Sequence, residues 1–185
     1  MNQSNKDKSK QTVTIFGSAR PHEGDKEYEI AFAVGKLLAQ ADYSICNGGY
    51  GGVMEASARG AKEAGGKTIG VVTKFFSMEA NKYIDEKIIE NTLLERLTKL
   101  IELGDAYIVL RGGTGTLVEL ATVWEYMNKH VIEVKPIIVV GTFWSPVVQT
   151  LKEELAYEGK GDVIKHVTLV LSPQECMNAL QEQFR

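Results

Sequence analysis

Short runs of β-branched and apolar residues recur along this chain, and each is followed by a stretch with helical spacing. That alternation constrains the fold more than any other feature. Residues 12–16 (TVTIF), 43–46, 68–72, 106–110 (AYIVL), 135–140 (KPIIVV) and 167–171 read as strands. Residues 25–40, 53–64, 92–103 and 117–130 read as helices, with Gly65-Gly66 and Gly104 as stops for the second and third. Two more helices open at Ser145-Pro146 and Ser172-Pro173, each with Ser as the expected N-cap and Pro in the first turn. Residues 74–91 are predicted to hold a turn and a short extended piece at 87–89. AYIVL carries no polar alternation, as in a strand covered on both faces. Strands alternating with helices give an α/β fold, a parallel sheet with helices on both sides. No repeat or linker interrupts the pattern, so a single domain is expected over 12–185. The polar, lysine-rich segment 1–11 reads as a flexible tail.

In such sheets ligands bind at the carboxyl ends of strands, in the loops that lead to helices. Of 18 glycines in 185 residues, seven fall in two loops at such ends. The first loop is Asn47-Gly48-Gly49-Tyr50-Gly51-Gly52, and the second is Arg111-Gly112-Gly113-Thr114-Gly115-Thr116. Glycine lets the backbone turn sharply and approach a ligand, and the following helix start offers unpaired N–H groups. Thr114 and Thr116 add hydroxyl donors. Either loop alone could be only a tight turn. Two at equivalent places in one sheet point to a phosphate or nucleotide site. The exit of the first strand, Gly17-Ser18-Ala19-Arg20, holds further anion donors in Ser18 and Arg20. No GxxxxGK[ST] loop is present, which argues against Walker-type ATP hydrolysis, and the dinucleotide fingerprint GxGxxG is absent after the first strand too.

Two charged residues stand out near the second loop. On a helical layout of 92–103, Arg96 falls inside the apolar arc, between Leu100 and Leu103. A guanidinium there must snorkel, pair with an acid, or face an anion site. Glu119 is expected just inside the helix after the loop, either as an ordinary first-turn acid or as a carboxylate acting on a ligand.

Composition narrows the partners. Lys+Arg is 21 and Asp+Glu 24, a net charge of −3, which argues against nucleic-acid binding through a general positive field. Cys46 and Cys176 have no CxxC spacing, and His22, His130 and His166 form no ligand pattern, so no metal site is expected. The N-terminus has no apolar signal-peptide core, and no run approaches the roughly 20 apolar residues that span a bilayer. The expected location is the cytoplasm, with no membrane partner.

Together these residues resemble the LOG (Lonely Guy) family of cytokinin-activating phosphoribohydrolases, long labelled "possible lysine decarboxylase". Its PGGxGTxxE signature stands here as Arg111-Gly112-Gly113-Thr114-Gly115-Thr116-Leu117-Val118-Glu119, and Arg96 lies 15 positions before it, like the family's helix arginine. Gly48-Gly49-Tyr50-Gly51-Gly52-Val53-Met54-Glu55 is similar to the family's first glycine loop. Trp124, Lys135-Pro136 and Phe143-Trp144-Ser145-Pro146 resemble later landmarks. Arg111 departs from the signature proline, Leu97 from a lysine, and Val118 from an acidic residue. The chain also resembles molybdenum-cofactor carrier proteins. The resemblance implies a Rossmann-like fold, a homodimer, no cofactor, and hydrolysis of a nucleoside 5′-monophosphate to a free base and ribose 5-phosphate. It implies Arg96 and Glu119 as catalytic residues. Substrate contacts are then expected from Gly17, Ser18, Gly48, Gly49, Gly51, Gly52, Glu55, Arg111, Gly112, Gly113, Thr114, Gly115 and Thr116. The alternative is a nucleotide or molybdenum-cofactor carrier without chemistry, in which Arg111 serves a more anionic ligand. Lysine decarboxylation fits poorly, since no lysine in either glycine loop is placed for a Schiff base.

Overall fold

In a computed structural model, which describes residues 10–184, the alternating segments form one seven-stranded sheet. The strands are β1 (Thr12–Phe16), β2 (Ser44–Asn47), β3 (Thr68–Thr73), β4 (Glu86–Glu90), β5 (Ala106–Val109), β6 (Ile137–Val140) and β7 (Val167–Val170). The helices are α1 (Lys26–Gln40), α2 (Val53–Glu63), α3 (Leu93–Leu103), α4 (Thr114–Asn128), α5 (Ser145–Tyr157) and α6 (Pro173–Gln183). Every strand pair is parallel, in the order β4-β3-β2-β1-β5-β6-β7. The order reverses between β1 and β5, so the crevice beyond their carboxyl ends is the topological switch point where α/β sheets bind ligands.

Strand residues alternate between two cores. Val13, Ile15, Ala106, Ile108, Ile138 and Val140 pack with α1, α2 and α6. Phe16, Tyr107, Val109, Ile137 and Val139 pack with α3, α4 and α5. Burying each large apolar side chain contributes about 1.5–3 kcal/mol, and both faces use that term. Polar groups in these layers find backbone partners: Thr14 Oγ1–H donates to Leu100 O at 3.0 Å, and the Tyr107 hydroxyl donates to Ile101 O at 2.7 Å.

Several boundaries differ from the sequence reading. Residues 86–90 form a full edge strand, where only a short piece is predicted. Paired with β3 alone and rich in Glu and Lys, β4 lacks the apolar pattern of an inner strand. Helix α4 begins at Thr114, not Leu117, because Gly113 is its N-cap and the weak helix formers Thr-Gly-Thr disguise its first turn. Helix α5 is preceded by Trp144 as N-cap, with Ser145 its first residue and no side-chain cap, whereas Ser172 does cap α6. A 3₁₀ turn at Val163–His166, absent from the sequence reading, leads into β7. Thr92 and Glu95 form a capping box on α3. The expected tail at 1–11 lies outside the described residues except for Lys10, which pairs with Asp42, and Gln11, whose carbonyl accepts from Ser44 N–H.

Candidate functional site

Three loops meet at the switch point. Ser18 N–H, at the exit of β1, donates to Arg111 O at the exit of β5 (3.1 Å). Ser18 O in turn accepts from Val53 N–H at the start of α2 (2.8 Å). The chains approach so closely that Gly52, with φ +67°, could carry a Cβ only 2.3 Å from Ser18 O. A Cβ on Gly17 would lie 2.6 Å from Val53 Cγ1. The glycines of the first loop therefore serve loop packing. Gly51 packs beside Ala19, and Gly49 sits against Val72 at φ +76°. Asn47 organises this loop from beneath. Its side-chain amide donates to Met54 O and Ser57 Oγ, and its Oδ1 accepts from Gly49 N–H (2.9 Å). That role was legible only as the Asn-Gly turn signal.

On the α3–α4 side of the junction lies a cleft of about 460 Å³. Gly17, Ser18, Gly113, Gly115 and Thr116 line it together with Arg96 and Glu119. The early start of α4 makes its first turn the floor, so unpaired N–H groups and the positive helix end face the cleft. Gly112 is needed beneath them, since a Cβ there would sit 2.2 Å from Thr116 Oγ1. Glu119 lies in the second turn of α4, not the first, which places it past the anion end and beside the opposite wall.

Arg96 is held rigidly. Its Nε–H donates to Val71 O (2.7 Å) and its Nη2–H to Gly48 O (3.0 Å), while the guanidinium lies 5.4 Å from the Tyr50 ring centroid. The half-buried guanidinium thus ties β3 to the first glycine loop and presents its charge to Glu119 across the cleft. No direct Arg96–Glu119 ion pair forms among the described residues, but each acts on the other. Burial pushes the Glu119 carboxyl up to about 7, and the charge of Arg96 limits the rise. Burial lowers the pKa of Arg96, and Glu119 opposes that shift. A carboxyl poised near neutrality beside an anion-binding helix end can accept a proton from water and stabilise positive charge on a bound sugar.

Tyr50, Met54 and Phe76 supply the apolar wall of this cleft, and sequence reasoning did not single them out. The Tyr50 hydroxyl donates to Ser77 O (2.8 Å) and accepts from Thr73 N–H (2.8 Å), fastening the loop after β3. Phe76 meets the Tyr50 ring edge-on at 6.1 Å. For Phe76 the only signal in the sequence is Phe75-Phe76 within a polar stretch, whereas Tyr50 and Met54 stand inside the first glycine motif.

Other expected residues lie elsewhere. Glu55 lines neither cleft at the switch point; it sits in the first turn of α2, where its charge acts on the Tyr28 hydroxyl of α1. Thr114 is exposed outside the cleft lining. Arg111 turns away toward α1: its Nη1 pairs with Glu27 at 2.8 Å, and its guanidinium lies 4.9 Å from the Phe143 ring centroid. There it lines a second cleft, of about 500 Å³, on the other side of the Ser18–Arg111 bridge. Among the described residues no group of three or more His, Cys, Asp or Glu could hold a metal ion. No described helix is long and apolar enough to cross a membrane.

The model of the SLOG cluster4 family matches residues 10–177. The chain belongs to this family. The match spans both glycine loops, Arg96 and Glu119, and bears out the LOG-type resemblance of the sequence. This SLOG cluster4 protein is 35% identical over 134 residues to a Mycobacterium tuberculosis protein named cytokinin riboside 5′-monophosphate phosphoribohydrolase, covering 70% of each chain. It is 37% identical over 116 residues to an uncharacterized protein of Archaeoglobus fulgidus, covering 63% of this chain and 76% of that one. Its fold matches the molybdenum cofactor binding protein of Rippkaea orientalis with a TM-score of 0.75 at 23% identity, over 95% of this chain and 98% of that one. The molybdenum cofactor carrier protein of Chlamydomonas reinhardtii aligns with a TM-score of 0.77 at 22% identity, over the same shares.

Proposed function

We propose that this SLOG cluster4 protein hydrolyses the N-glycosidic bond of nucleoside 5′-monophosphates, releasing a free base and ribose 5-phosphate. The observation that carries this reading is Glu119, a half-buried carboxyl in one cleft with Arg96 and the first turn of α4. The 5′-phosphate rests on the amides at the start of α4, with the Thr116 hydroxyl beside it. That places the ribose toward Glu119 and the base toward Tyr50, Met54 and Phe76. As the C1′–N bond breaks, its electron pair leaves with the base, which takes a proton from solvent. Positive charge gathers on the ribose, where the Glu119 carboxylate stabilises it, as in other glycoside hydrolyses. Glu119 takes a proton from the water that attacks C1′. Arg96 holds Glu119 toward its ionised form and orients the substrate. The names of the relatives at about one-third identity support this assignment.

Incubation with AMP and isopentenyl-AMP, followed by chromatography for the free base, tests the reading. Base release that collapses in E119A while nucleotide binding survives supports it; no release from either substrate at high enzyme concentration sinks it. The second reading, a carrier without chemistry, draws on Arg111 in place of the signature proline and predicts binding with no turnover in wild type. The family resemblance supports a homodimer, and the exposed apolar residues Leu93, Leu94 and Val118 on α3 and α4 are suitable for its interface.

A further inference from the structure

One wall of the Glu119 cleft stands on a loop that has no share in either core. Between the end of β3 and Tyr83, the side chains of Phe75, Phe76 and Met78 are exposed, Phe76 by 63% although it lines the cleft. None of the three packs against either apolar core. Burial therefore does little to hold this loop, and its hydrogen bonds decide where Phe76 stands.

Those bonds converge on two consecutive residues of the first glycine loop. At the near end the Tyr50 hydroxyl accepts from Thr73 N–H and donates to Ser77 O, both at 2.8 Å, so the turn 73–77 closes around it. At the far end Asn81 N–H donates to Gly49 O (2.7 Å), and the Asn81 side-chain amide donates to Gly49 O (3.2 Å) and Tyr50 O (2.8 Å). Asn81 Oδ1 accepts from Tyr83 N–H at 3.0 Å, which fixes the amide with its donors toward the glycine loop. Gly49 is thereby held from both sides, its N–H by Asn47 and its carbonyl by Asn81. Beyond the loop's own turns, the other polar ties of residues 74–80 among the described residues are Lys74 at its foot, bonded to Glu90 O and Asn91, and an exposed Lys87–Glu79 pair at 4.0 Å.

Asn81 lines neither cleft and its bonds go to backbone, so any effect it has on a ligand passes through Tyr50 and Phe76. We propose that Asn81 and the Tyr50 hydroxyl are positioning groups for the base subsite. Together they pin the loop after β3 to Gly49-Tyr50, so that the Tyr50 and Phe76 rings form a fixed wall for the base of the nucleotide. The phosphate end is built separately, on the start of α4, and does not depend on this loop. The inference rests on the reading above for which end of the cleft takes the base.

Titration calorimetry of the full chain with AMP and with ribose 5-phosphate tests this, since only AMP carries a base. In N81D the carboxylate still accepts from Tyr83 N–H but has no proton to give to the two carbonyls. In Y50F the ring stays beside Arg96 and Phe76, and only the hydroxyl is lost. Each variant is expected to weaken AMP binding about five- to tenfold and to leave the Kd for ribose 5-phosphate within about twofold of wild type. The melting temperature falls in both, as for any lost hydrogen bond. A purely structural role would not separate the two ligands. AMP binding unchanged in either folded variant, or a loss shared equally by both ligands, overturns the proposal. If N81D does not fold, Y50F alone decides. The separation of ligands without base release from AMP supports the positioning role and sinks the hydrolase reading. Base release from AMP in wild type, with no separation in the variants, does the reverse.

Discussion

Glu119 is the residue on which chemistry and stability meet. Its folded pKa, near 7, lies above the ordinary carboxyl value because burial penalises the charge. Under the hydrolase reading, water activation needs the carboxylate, so base release from AMP should rise with pH through about 7, and E119Q should abolish the limb together with the activity. The same shift has the opposite sign for folding. A raised carboxyl pKa leaves full stability below the ordinary carboxyl range and loses it as pH climbs through the folded value. E119Q removes the charge, so it should be more stable than wild type by about 1–3 kcal/mol at pH 8 but not at pH 4, read as a higher melting temperature at pH 8 alone. Arg96 gives a second test at this scale. Its fork satisfies two carbonyls and lies against the Tyr50 ring, a geometry that an ammonium does not reproduce. R96K should therefore weaken AMP binding nearly as much as R96A, and each should lower thermal stability by about 2–3 kcal/mol.

At the scale of elements, the site depends on close backbone contact. Helices α1 and α2 touch through two glycines: a Cβ on Gly35 would come within 2.0 Å of Ser57 O, and one on Gly60 within 2.1 Å of Phe32 O. Backbone cannot give way as a side chain does, so G35A or G60A should cost about 3 kcal/mol in chemical denaturation and shift the start of α2 against Ser18. Helix α4 shows why its cradle was only partly legible. The GGTGT run announces a turn, but not that three of its residues already belong to the helix. The helix starts where Leu117 N–H bonds back to Gly113 O, in a loop tied to the exit of β1 through Ser18 N–H and Arg111 O. In G112A the new methyl would press on Thr116, and calorimetry with AMP should show binding reduced about tenfold or more, while the fold survives.

At the scale of the molecule, the sheet places every site residue at one end of the strands, and assembly follows from what that end leaves uncovered. Leu94 is 67% exposed and Val118 53%, on the two helices that border the Glu119 cleft. Under the homodimer reading, sedimentation of wild type gives a dimer, and L94E with V118E gives a monomer of unchanged helical content. A wild-type monomer at micromolar concentration would end that reading. Val118 stands where the resemblance expects an acidic residue, so its exposed apolar surface is a property of this chain.

The sequence alone determined the layers and their polarity. Apolar runs such as AYIVL admit no solvent-facing side, and strands of this kind separated by helices must lie parallel. It also marked Arg96 by a local contradiction, a guanidinium on an apolar arc. Only the tertiary structure decided what such residues touch. Arg111 and Arg20 are alike in the sequence, each in a glycine-containing turn at a strand exit. Their different surroundings follow from Glu27 and Phe143, which reach Arg111 from α1 and from the loop before α5. Glu55, which continues the first glycine motif, lines neither cleft and lies where its charge acts on the Tyr28 hydroxyl of α1. The direction of a side chain depends on partners brought from distant parts of the chain, and local pattern carries no record of them.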